Sequence, residues 1–151
     1  MTLSVIVFRS RVRYEAETAY LSCYQELSNP LAVGTAYYAE DSLCSGGMKV
    51  VNLGNRAEND LQWRDVWCDD DGDYRIIIAC TSFGQEDALL VCAGEGGGQR
   101  FTAADAHDGK VVLTLRLTQG QNTIRLYNDG GTMPDVDYMD VHRPYLLGTT
   151  P

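Results

Sequence analysis

The sequence lacks the features that identify many protein classes at once. No stretch approaches the ~20 consecutive apolar residues that a membrane-spanning helix needs, and no N-x-[ST] acceptor for N-linked glycosylation is present. None of the five cysteines lies in a CxxC pair, which argues against a zinc site. His107 and His142 have no partners at metal-ligand spacing, and we predict both at the surface. The chain also shows no local Ser/His/Asp or Cys/His signature of a nucleophilic enzyme.

Positive charge is also scarce. The chain has 12 Lys and Arg against 21 Asp and Glu, and its formal net charge is −9. A field of this sign argues against binding of nucleic acid through its phosphates. It is compatible with binding of a cation, although a surplus of surface carboxylates most often simply faces water.

Phe and Trp are few, whereas Tyr and Gly are abundant. The 151 residues include 3 Phe and 2 Trp but 9 Tyr and 15 Gly, and 44% of the chain is hydrophobic. A chain of this length can bury a core as a single domain. The residue mix is typical of an all-β domain with tight turns.

Alternation of apolar and polar residues recurs along the chain and predicts strands. We predict strands over residues 5–8, 12–21, 48–53, 61–67, 74–81, 88–93, 111–117, 123–128 and 136–141. Three consecutive isoleucines at 76–78 indicate burial on both faces of their strand. Residues 29–42 contain Asn29-Pro30 and Gly34, which predict a long loop. Many short strands without a clear helix predict an all-β fold, a β-sandwich or jelly roll.

The cysteines admit two interpretations. Cys80 and Cys92 lie in apolar runs, where Cys behaves as a small buried hydrophobe. A bridge between Cys23 and Cys44 is an alternative to free thiols, and an odd count leaves at least one thiol free. The cysteines therefore do not settle the redox compartment.

Two pairs of carboxylates are each separated by a single residue. Glu15 and Glu17 form one pair and Asp135 and Asp137 the other, and on a strand such positions share one face. Close anionic groups repel each other unless something neutralises them. Calcium, which takes about six to eight oxygen ligands, does this well. If the first and last strands are neighbours, Glu15, Glu17 and Asp137 converge, and carbonyls of the 44–49 turn complete the shell; otherwise these faces are solvated.

Five short motifs follow one another along residues 14–141. They are Tyr-Glu-Ala-Glu; Cys-Ser-Gly-Gly before a strand and Leu-Gly-Asn; Gly-Asp-Tyr before an apolar strand; Gly-Gln-Asn-Thr-Ile-Arg-Leu-Tyr-Asn; and Pro-Asp-Val-Asp-Tyr. The ordered set resembles carbohydrate-binding modules of families 6 and 35. It is most similar to the family 35-type modules appended to family 27 glycoside hydrolases, which are α-galactosidase-like enzymes. The resemblance implies a galactose-binding-domain-like jelly roll with a structural calcium ion held by Glu15, Glu17 and Asp137.

The same resemblance implies a sugar site in loops at one end of the sandwich. The family uses an aromatic residue from an early loop and a polar residue two positions before the calcium aspartate. By position these are Tyr37 or Tyr38, together with Asp135. Asn128, the last residue of the long Gly-Gln-Asn motif, is a further ligand-binding candidate. Stacking of a ring on the apolar face of a sugar, with a few fixed hydrogen bonds, is the physical basis of such a site.

The chain departs from the family pattern in two places. Many relatives have a tryptophan in the loop before the strand that begins here at residue 111, whereas residues 101–109 contain His107 and no tryptophan. Asparagine is usual where Asp135 stands, and a carboxylate accepts hydrogen bonds but cannot donate them. Trp63 and Trp67 are poor replacements because both fall in a strand pattern, which predicts core packing.

The resemblance implies a binding module rather than an enzyme. Residues 13–143 would form the module, 1–12 an N-terminal strand or linker, and 144–151 a C-terminal tail. The module would concentrate an attached glycoside hydrolase on a polysaccharide or a galactoside-containing glycan. We expect a secreted or cell-surface location within a larger enzyme. The expected partners are carbohydrate and the attached catalytic domain, with neither nucleic acid nor membrane.

Two alternatives stay open. The chain is a structural accessory β-domain that binds no sugar, or it is a glycosidase that uses a carboxylate pair. Glycoside hydrolysis needs two carboxyl groups about 5–10 Å apart across an open cleft. Glu15 and Glu17 suit that role poorly because a bound cation would keep both ionised.

Overall fold

The computed structural model describes residues 11–24 and 35–143. Within them the strands are β1 (Arg11–Glu15), β2 (Tyr20–Leu21), β3 (Tyr37–Glu40), β4 (Met48–Val51), β5 (Leu61–Cys68), β6 (Gly72–Thr81), β7 (Ala88–Ala93), β8 (Gln99–Thr102), β9 (Lys110–Leu117), β10 (Gly120–Tyr127) and β11 (Asp135–His142). Short 3₁₀ turns span Ala16–Thr18, Ser45–Gly47 and Ala103–Asp105. The strand predicted at 5–8 and residues 29–34 of the predicted loop lie outside the described residues.

The strands form two antiparallel sheets. The large sheet has the order β3-β4-β11-β6-β9, and β1 also pairs with β11. The small sheet has the order β2-β5-β10-β7-β8. Buried residues of both sheets form one hydrophobic core, so the predicted all-β sandwich is confirmed. In the described part of the chain, no helix is long and apolar enough to cross a membrane.

Strict alternation places the core side of the large sheet. In β9 the residues Val111, Leu113, Leu115 and Leu117 are buried, whereas the residues between them are exposed. Burial of one such aliphatic side chain stabilises the fold by roughly 1.5–3 kcal/mol. The isoleucine triplet of β6 follows the same alternation rather than being buried throughout. Its middle member, Ile77, points outward and is only half-buried, so the prediction of burial on both faces is wrong.

The predicted strand at 12–21 is two strands on different sheets. β1 ends at Glu15, the 3₁₀ turn follows, and β2 then joins the small sheet beside β5. The Ala19 N–H closes the turn by donating to the Ala16 carbonyl at 3.0 Å, and Ala16 is fully buried. Period-two patterning continued across the break because Tyr14 of β1 and Leu21 of β2 both pack against the same core.

Two strands were not predicted. β3 lies within the predicted 29–42 loop, and β8 follows the glycine-rich 94–98 turn. Each has four residues, and each is paired on one side to a stronger neighbour. Strands this short owe their structure to that neighbour more than to their own alternation.

The two tryptophans of β5 have different environments. Trp63 is 3% exposed, and its indole N–H donates to the Glu15 carbonyl at 3.0 Å. Trp67 is 64% exposed, so its predicted core position is wrong. The register against β10 shifts between Trp63 and Val66, which marks a β-bulge. The extra residue reverses the alternation, turning Val66 inward and Trp67 outward.

All five cysteines are free thiols. Cys80 and Cys92 are buried as predicted. The alternative of a bridge between Cys23 and Cys44 is wrong, because Cys44 is buried beside the large sheet and the Cys23 thiol contacts the Glu58 carbonyl at 3.3 Å. Stability therefore comes from packing rather than from a crosslink.

The strand connections meet at two ends. The loop end comprises residues 52–60, 82–87, 103–109 and 128–134, and the terminal end holds the start of β1, the end of β11 and the turns at 69–71 and 118–119. Loops at the loop end are tied together by their backbones. The Asn55 N–H donates to the Gly131 carbonyl at 2.7 Å, and the Ala88 N–H donates to the Thr132 carbonyl at 3.0 Å.

Gly54 permits this close approach and provides a test of it. Its φ is 94°, and a Cβ added there would lie 2.7 Å from the Gly131 carbonyl oxygen. Gly94 has φ of 60° with nothing within 4 Å, so it serves as a control. We expect G94A to cost about 1–2 kcal/mol from backbone strain alone, and G54A about 3 kcal/mol or more because backbone must also move. Urea unfolding measures both, and equal losses would contradict the proposed crowding.

Candidate functional site

The first and last strands of the described chain lie side by side. β1 pairs antiparallel with β11, and Glu15 stands opposite Tyr138. Asp137 therefore lies beside the end of β1, and the 3₁₀ turn that follows β1 carries Glu17 to the same region. The first and last strands are therefore neighbours, as the convergence of the three carboxylates requires. Glu17 reaches the site from a turn rather than from the strand face expected for it.

The Ser45–Gly47 turn packs against these three carboxylates. The Ser45 hydroxyl donates to Glu15 Oε2 at 2.6 Å, and the Ser45 N–H donates to Asp137 Oδ1 at 3.0 Å. Gly46 has φ of 68°, and a Cβ there would lie 2.6 Å from Glu17 Oε2. Glycine at this position thus lets the backbone approach the carboxylates. The turn and the three side chains form what we call the carboxylate cluster.

Two oxygens of the carboxylate cluster have no partner. Glu15 Oε1 and Glu17 Oε1 are buried and accept no hydrogen bond. Burial raises the pKa of Glu17, and the Glu15 and Asp137 carboxylates raise it further. Burial also raises the pKa of Asp137, against the opposing hydrogen bond from the Ser45 N–H. A buried acceptor without a donor is costly unless a proton or a cation satisfies it.

The carboxylate side chains do not by themselves complete a metal site. Within residues 11–24 and 35–143, no group of three or more His, Cys, Asp or Glu side chains is arranged to hold a metal ion. Further oxygen ligands would have to come from elsewhere. The Ser45 hydroxyl and the backbone of its turn are the nearest oxygen-bearing groups that the hydrogen bonds identify.

A bidentate ion pair borders the carboxylate cluster. Arg13 Nε and Nη2 donate to the two carboxylate oxygens of Asp140 at 2.8 and 3.0 Å. Asp140 is 5% exposed, and the Arg13 guanidinium lies 3.6 Å from the centroid of the Tyr138 ring. A buried carboxylate needs such a partner. The pair thus holds the Arg13 side chain in place two residues before Glu15 on β1.

The two adjacent tyrosines of β3 point to opposite faces. Tyr38 pairs with the buried Val50 and packs against the core, where its hydroxyl donates to the Ala19 carbonyl at 3.3 Å. Its ring centroid lies 5.2 Å from that of Tyr24. Tyr37 pairs with Val51 on the outer face and is half-buried. Of the two predicted ligand-binding tyrosines, Tyr37 therefore has the freer ring.

Asp135 is neutralised within the fold. The Lys49 amine lies 3.2 Å from Asp135 Oδ2 and 3.2 Å from Asp41 Oδ2. Burial raises the pKa of Asp135, whereas Lys49 lowers it. Sequence reasoning missed Lys49 because only the pairing of Val50 with Val136 shows that β4 and β11 are neighbours. Asp135 thus presents a lysine-paired carboxylate rather than a free one.

Asn128 closes a turn at the loop end. It is 4% exposed, its amide donates to the Thr132 carbonyl at 3.0 Å, and its side-chain oxygen accepts from the Gly130 N–H at 3.3 Å. The structure places Asn128 at the loop end and engages its amide in the turn. Its role as a ligand-binding residue stays a prediction.

Unusual backbone conformations gather at the loop end. In the described residues, positive φ angles outside glycine occur at Asn52 (66°), Asn55 (70°), Ser82 (57°) and Asp108 (53°). Asn52 lies at the border of the first loop, and the others lie within the loops. Such conformations cluster at binding sites more often than elsewhere. Asn55 is exposed and was not predicted as a site residue; it ends the Leu-Gly-Asn motif, and Gly-Asn pairs are common in ordinary turns.

No protein-family model and no curated protein matches the chain. Among solved structures, a family 35 carbohydrate-binding module from Clostridium thermocellum is 24% identical with a TM-score of 0.69, and the match covers 87% of this chain and 98% of that one. The C-terminal family 6 carbohydrate-binding module (CBM6) of the laminarinase LamC from Zobellia galactanivorans is 16% identical with a TM-score of 0.61, covering 88% and 99%.

A third similar structure is a larger enzyme. An exo-β-1,3-galactanase from Phanerochaete chrysosporium, crystallised with β-1,3-galactotriose, is 20% identical with a TM-score of 0.70. The match covers 88% of this chain but 29% of the galactanase chain. At these identities the similarity establishes the fold: the chain has the β-sandwich fold of carbohydrate-binding modules.

Replacement of each β3 tyrosine tests their different environments. We expect Y38A to destabilise the protein by about 2–4 kcal/mol, because it leaves a cavity against the core. Y37A should cost less than about 1 kcal/mol, since it removes a half-exposed ring. Thermal unfolding of both variants measures the difference. A larger loss for Y37A would mean that the two faces of β3 have been assigned in reverse.

Proposed function

We propose that the chain is a non-catalytic carbohydrate-binding module stabilised by a calcium ion. The observation that carries the proposal is the pair of buried, unpartnered oxygens of Glu15 and Glu17 beside Asp137. They occur in a β-sandwich whose fold is that of family 35 and family 6 modules. A module of this kind acts by raising local concentration rather than by chemistry.

The carboxylate cluster fits a hard cation in its donor chemistry. Calcium prefers oxygen ligands and tolerates irregular geometry. Glu15, Glu17 and Asp137 would supply carboxylate oxygens, and the Ser45–Gly47 turn would supply further oxygens, since three acidic side chains are not arranged to hold an ion alone. The ion would neutralise groups whose burial and mutual repulsion raise the pKa of Glu17. Its role is structural: it would fasten β1 and β11 to the turn.

The loop end is the proposed sugar site. Tyr37 and Asp135 both start strands at this end and lie on the outer side of the large sheet. The tied backbones of the 52–60 and 128–134 loops make the surface rigid, which reduces the ordering cost of binding. Exposed Asn55 adds an amide with both donor and acceptor groups.

The attachment to an enzyme is also part of the proposal. The similar galactanase contains the matched region within a longer chain, which supports a role as one module of a secreted glycoside hydrolase. A galactoside-containing glycan is the ligand that this likeness favours. Association with a family 27 enzyme rests on sequence motifs alone and stays a prediction.

One observation favours the accessory-domain alternative. The Lys49 ion pair occupies Asp135, the proposed polar ligand of the sugar. The loop at 103–109 offers exposed His107 but no large aromatic platform. A glycosidase is less well supported. Glu15 accepts a hydrogen bond from the Ser45 hydroxyl, and Glu17 lies against Gly46 so closely that a Cβ there would clash, so both face the Ser45–Gly47 turn rather than an open substrate cleft.

The calcium proposal is tested by two neighbouring glycines. Gly46 and Gly47 both have positive φ, 68° and 76°, but a Cβ at Gly47 meets nothing within 4 Å. Calcium at about 100 times its Kd should stabilise the wild type by about 2.7 kcal/mol, and chelator should remove this gain. We expect G47A to keep the calcium response and G46A to lose most of it. Thermal melting and isothermal titration with calcium measure these effects.

Two outcomes would contradict the calcium proposal. One is a wild-type melting temperature that neither calcium nor chelator changes. The other is an equal calcium response in G46A and G47A, which would show that crowding of Glu17 has no bearing on the ion. Magnesium serves as the control ion. It requires stricter octahedral geometry, so the same oxygens should bind it more weakly than calcium.

The sugar proposal is tested on a glycan array followed by titration of the best ligand. We expect binding to a galactoside-containing glycan, and we expect Y37A to weaken it about ten-fold through loss of ring stacking. W67A is the matched control because Trp67 is 64% exposed and lies away from the loop end. Loss of binding in W67A alone would move the site to the small sheet. Silence across neutral and acidic glycans would favour the accessory domain.

A further inference from the structure

The outer face of the large sheet carries positive charge although the chain has a net charge of −9. Along β6 and β9, outward positions alternate with buried core positions, and the register of β1 against β11 places Arg11 and Arg13 on the same outer face. The exposed cationic side chains at these outward positions are Arg11, Arg13, Arg75, Lys110 and Arg116. We call this surface the basic face. Lys110 follows the 103–109 loop, whereas Arg11, Arg75 and Arg116 lie toward the terminal end.

One cross-strand row of the basic face places basic side chains on three neighbouring strands. Arg11 of β1 stands opposite His142 of β11, and His142 stands opposite Arg75 of β6. Neighbouring strands are about 4.8 Å apart. Like charges directly opposite each other destabilise a sheet. The row therefore works against stability wherever all three groups carry charge.

His142 shows the effect of this crowding. Its Nε2 atom is buried and has no hydrogen-bond partner. Burial lowers the pKa of His142, and Arg75 and Arg11 lower it further against the opposing charge of Asp140. The counter-charge near the row is Asp140, which is already paired with Arg13.

Two acidic side chains of the basic face, Asp140 and Asp73, are engaged in ion pairs, and Glu15 accepts a hydrogen bond from Ser45. Asp140 is buried in its bidentate pair with Arg13, and Arg11 lies 3.6 Å from the same carboxylate. Arg116 pairs with Asp73 at 3.6 Å. In residues 11–24 and 35–143, no acidic side chain pairs with Arg75 or Lys110. These two cations are available to an external anion, and Arg11, whose side chain is 53% exposed, adds an edge position beside its contact with Asp140.

The composition of the basic face suits a charged chain better than a stacked neutral sugar. Its middle holds the paired side chains of Ile77 and Val112, the latter 51% exposed. The aromatic ring of the face belongs to Tyr138, and the Arg13 guanidinium covers it at 3.6 Å from its centroid. Sugar stacking needs an open ring. Ionic contacts from well-separated cations need only a ligand with repeated negative groups.

We propose that the basic face binds a polyanionic glycan through Arg11, Arg75 and Lys110, which contact carboxylate or sulfate groups on successive sugars. This site differs from the proposed loop-end site in chemistry, and it extends from Lys110, which follows the 103–109 loop, to Arg11 and Arg75 toward the terminal end. It requires neither calcium nor Tyr37. The two proposals can therefore fail independently.

Three polymers test the proposal on the wild-type protein. Dextran and dextran sulfate differ only in sulfate esters, and hyaluronan carries carboxylates without sulfate. We expect binding to dextran sulfate, hyaluronan or both, no binding to dextran, and a steep loss of affinity as salt rises. The stronger of the two anionic polymers identifies the preferred group. Equal binding of dextran and dextran sulfate would overturn the proposal, and so would binding to none of them, which would leave the face to a protein partner.

A charge reversal separates binding from stability. R75E should weaken polyanion binding about ten-fold, because it replaces an attraction with a repulsion. The same change places opposite charges beside His142 and near Arg11, so its melting temperature should be equal to or higher than that of the wild type. R100E is the matched control, since Arg100 is exposed on β8 of the small sheet. R100E should retain binding.

The remaining outcomes are also decisive. Wild-type affinity in R75E would overturn the proposal, as would equal losses in R75E and R100E, which would indicate attraction to overall charge rather than to this face. K110E tests the other side of the basic face independently. It should weaken polyanion binding as R75E does and leave the calcium response of the protein unchanged, since Lys110 lies on β9.

Discussion

The antiparallel pairing of β1 with β11 is the constraint on which the rest of the structure depends. It joins the two ends of the described chain, places Glu15 opposite Tyr138, and sets Arg13 against Asp140. Without it, Glu17 and Asp137 would have no reason to meet. The pairing also brings together groups that repel, so it contributes stability while it creates an electrostatic cost. An ion at the carboxylate cluster would remove that cost where it arises, which couples ion binding to closure of the sandwich.

Charge is distributed unevenly for a related reason. Carboxylates gather where the chain crosses from the large to the small sheet, whereas cations line the outer face of β1, β6 and β9. Only one buried ion pair, Arg13 with Asp140, lies on the border between the two regions within the described residues. Arg13 thus lies between Glu15 and the basic row. The proposed sites for a cation and for a polyanion would therefore lie a few residues apart.

Much of the fold was predictable because alternation reports burial directly. The predicted and observed bounds of β7 coincide, and β9 differs by one residue at its start. Errors arose where a local event changed the alternation: the bulge before Val66 exposed Trp67, and the turn at Ala16–Thr18 moved Tyr20 to the other sheet. The carboxylates were identifiable from spacing and family likeness. Lys49 and the basic row were not, since both depend on which strands are neighbours.

The balance at Asp135 shows how stability and recognition compete at the loop end. Lys49 makes the burial of Asp135 tolerable, but a carboxylate already paired offers a sugar hydroxyl less than a free one would. A ligand must therefore share Asp135 with Lys49 or displace it, and displacement leaves the amine with Asp41 alone. Sharing costs less free energy than displacement, because a carboxylate has about four acceptor sites and can serve both groups. Recognition at this end should then depend on hydroxyl geometry and on Tyr37 rather than on charge, which leaves charged ligands to the opposite chemistry of the basic face.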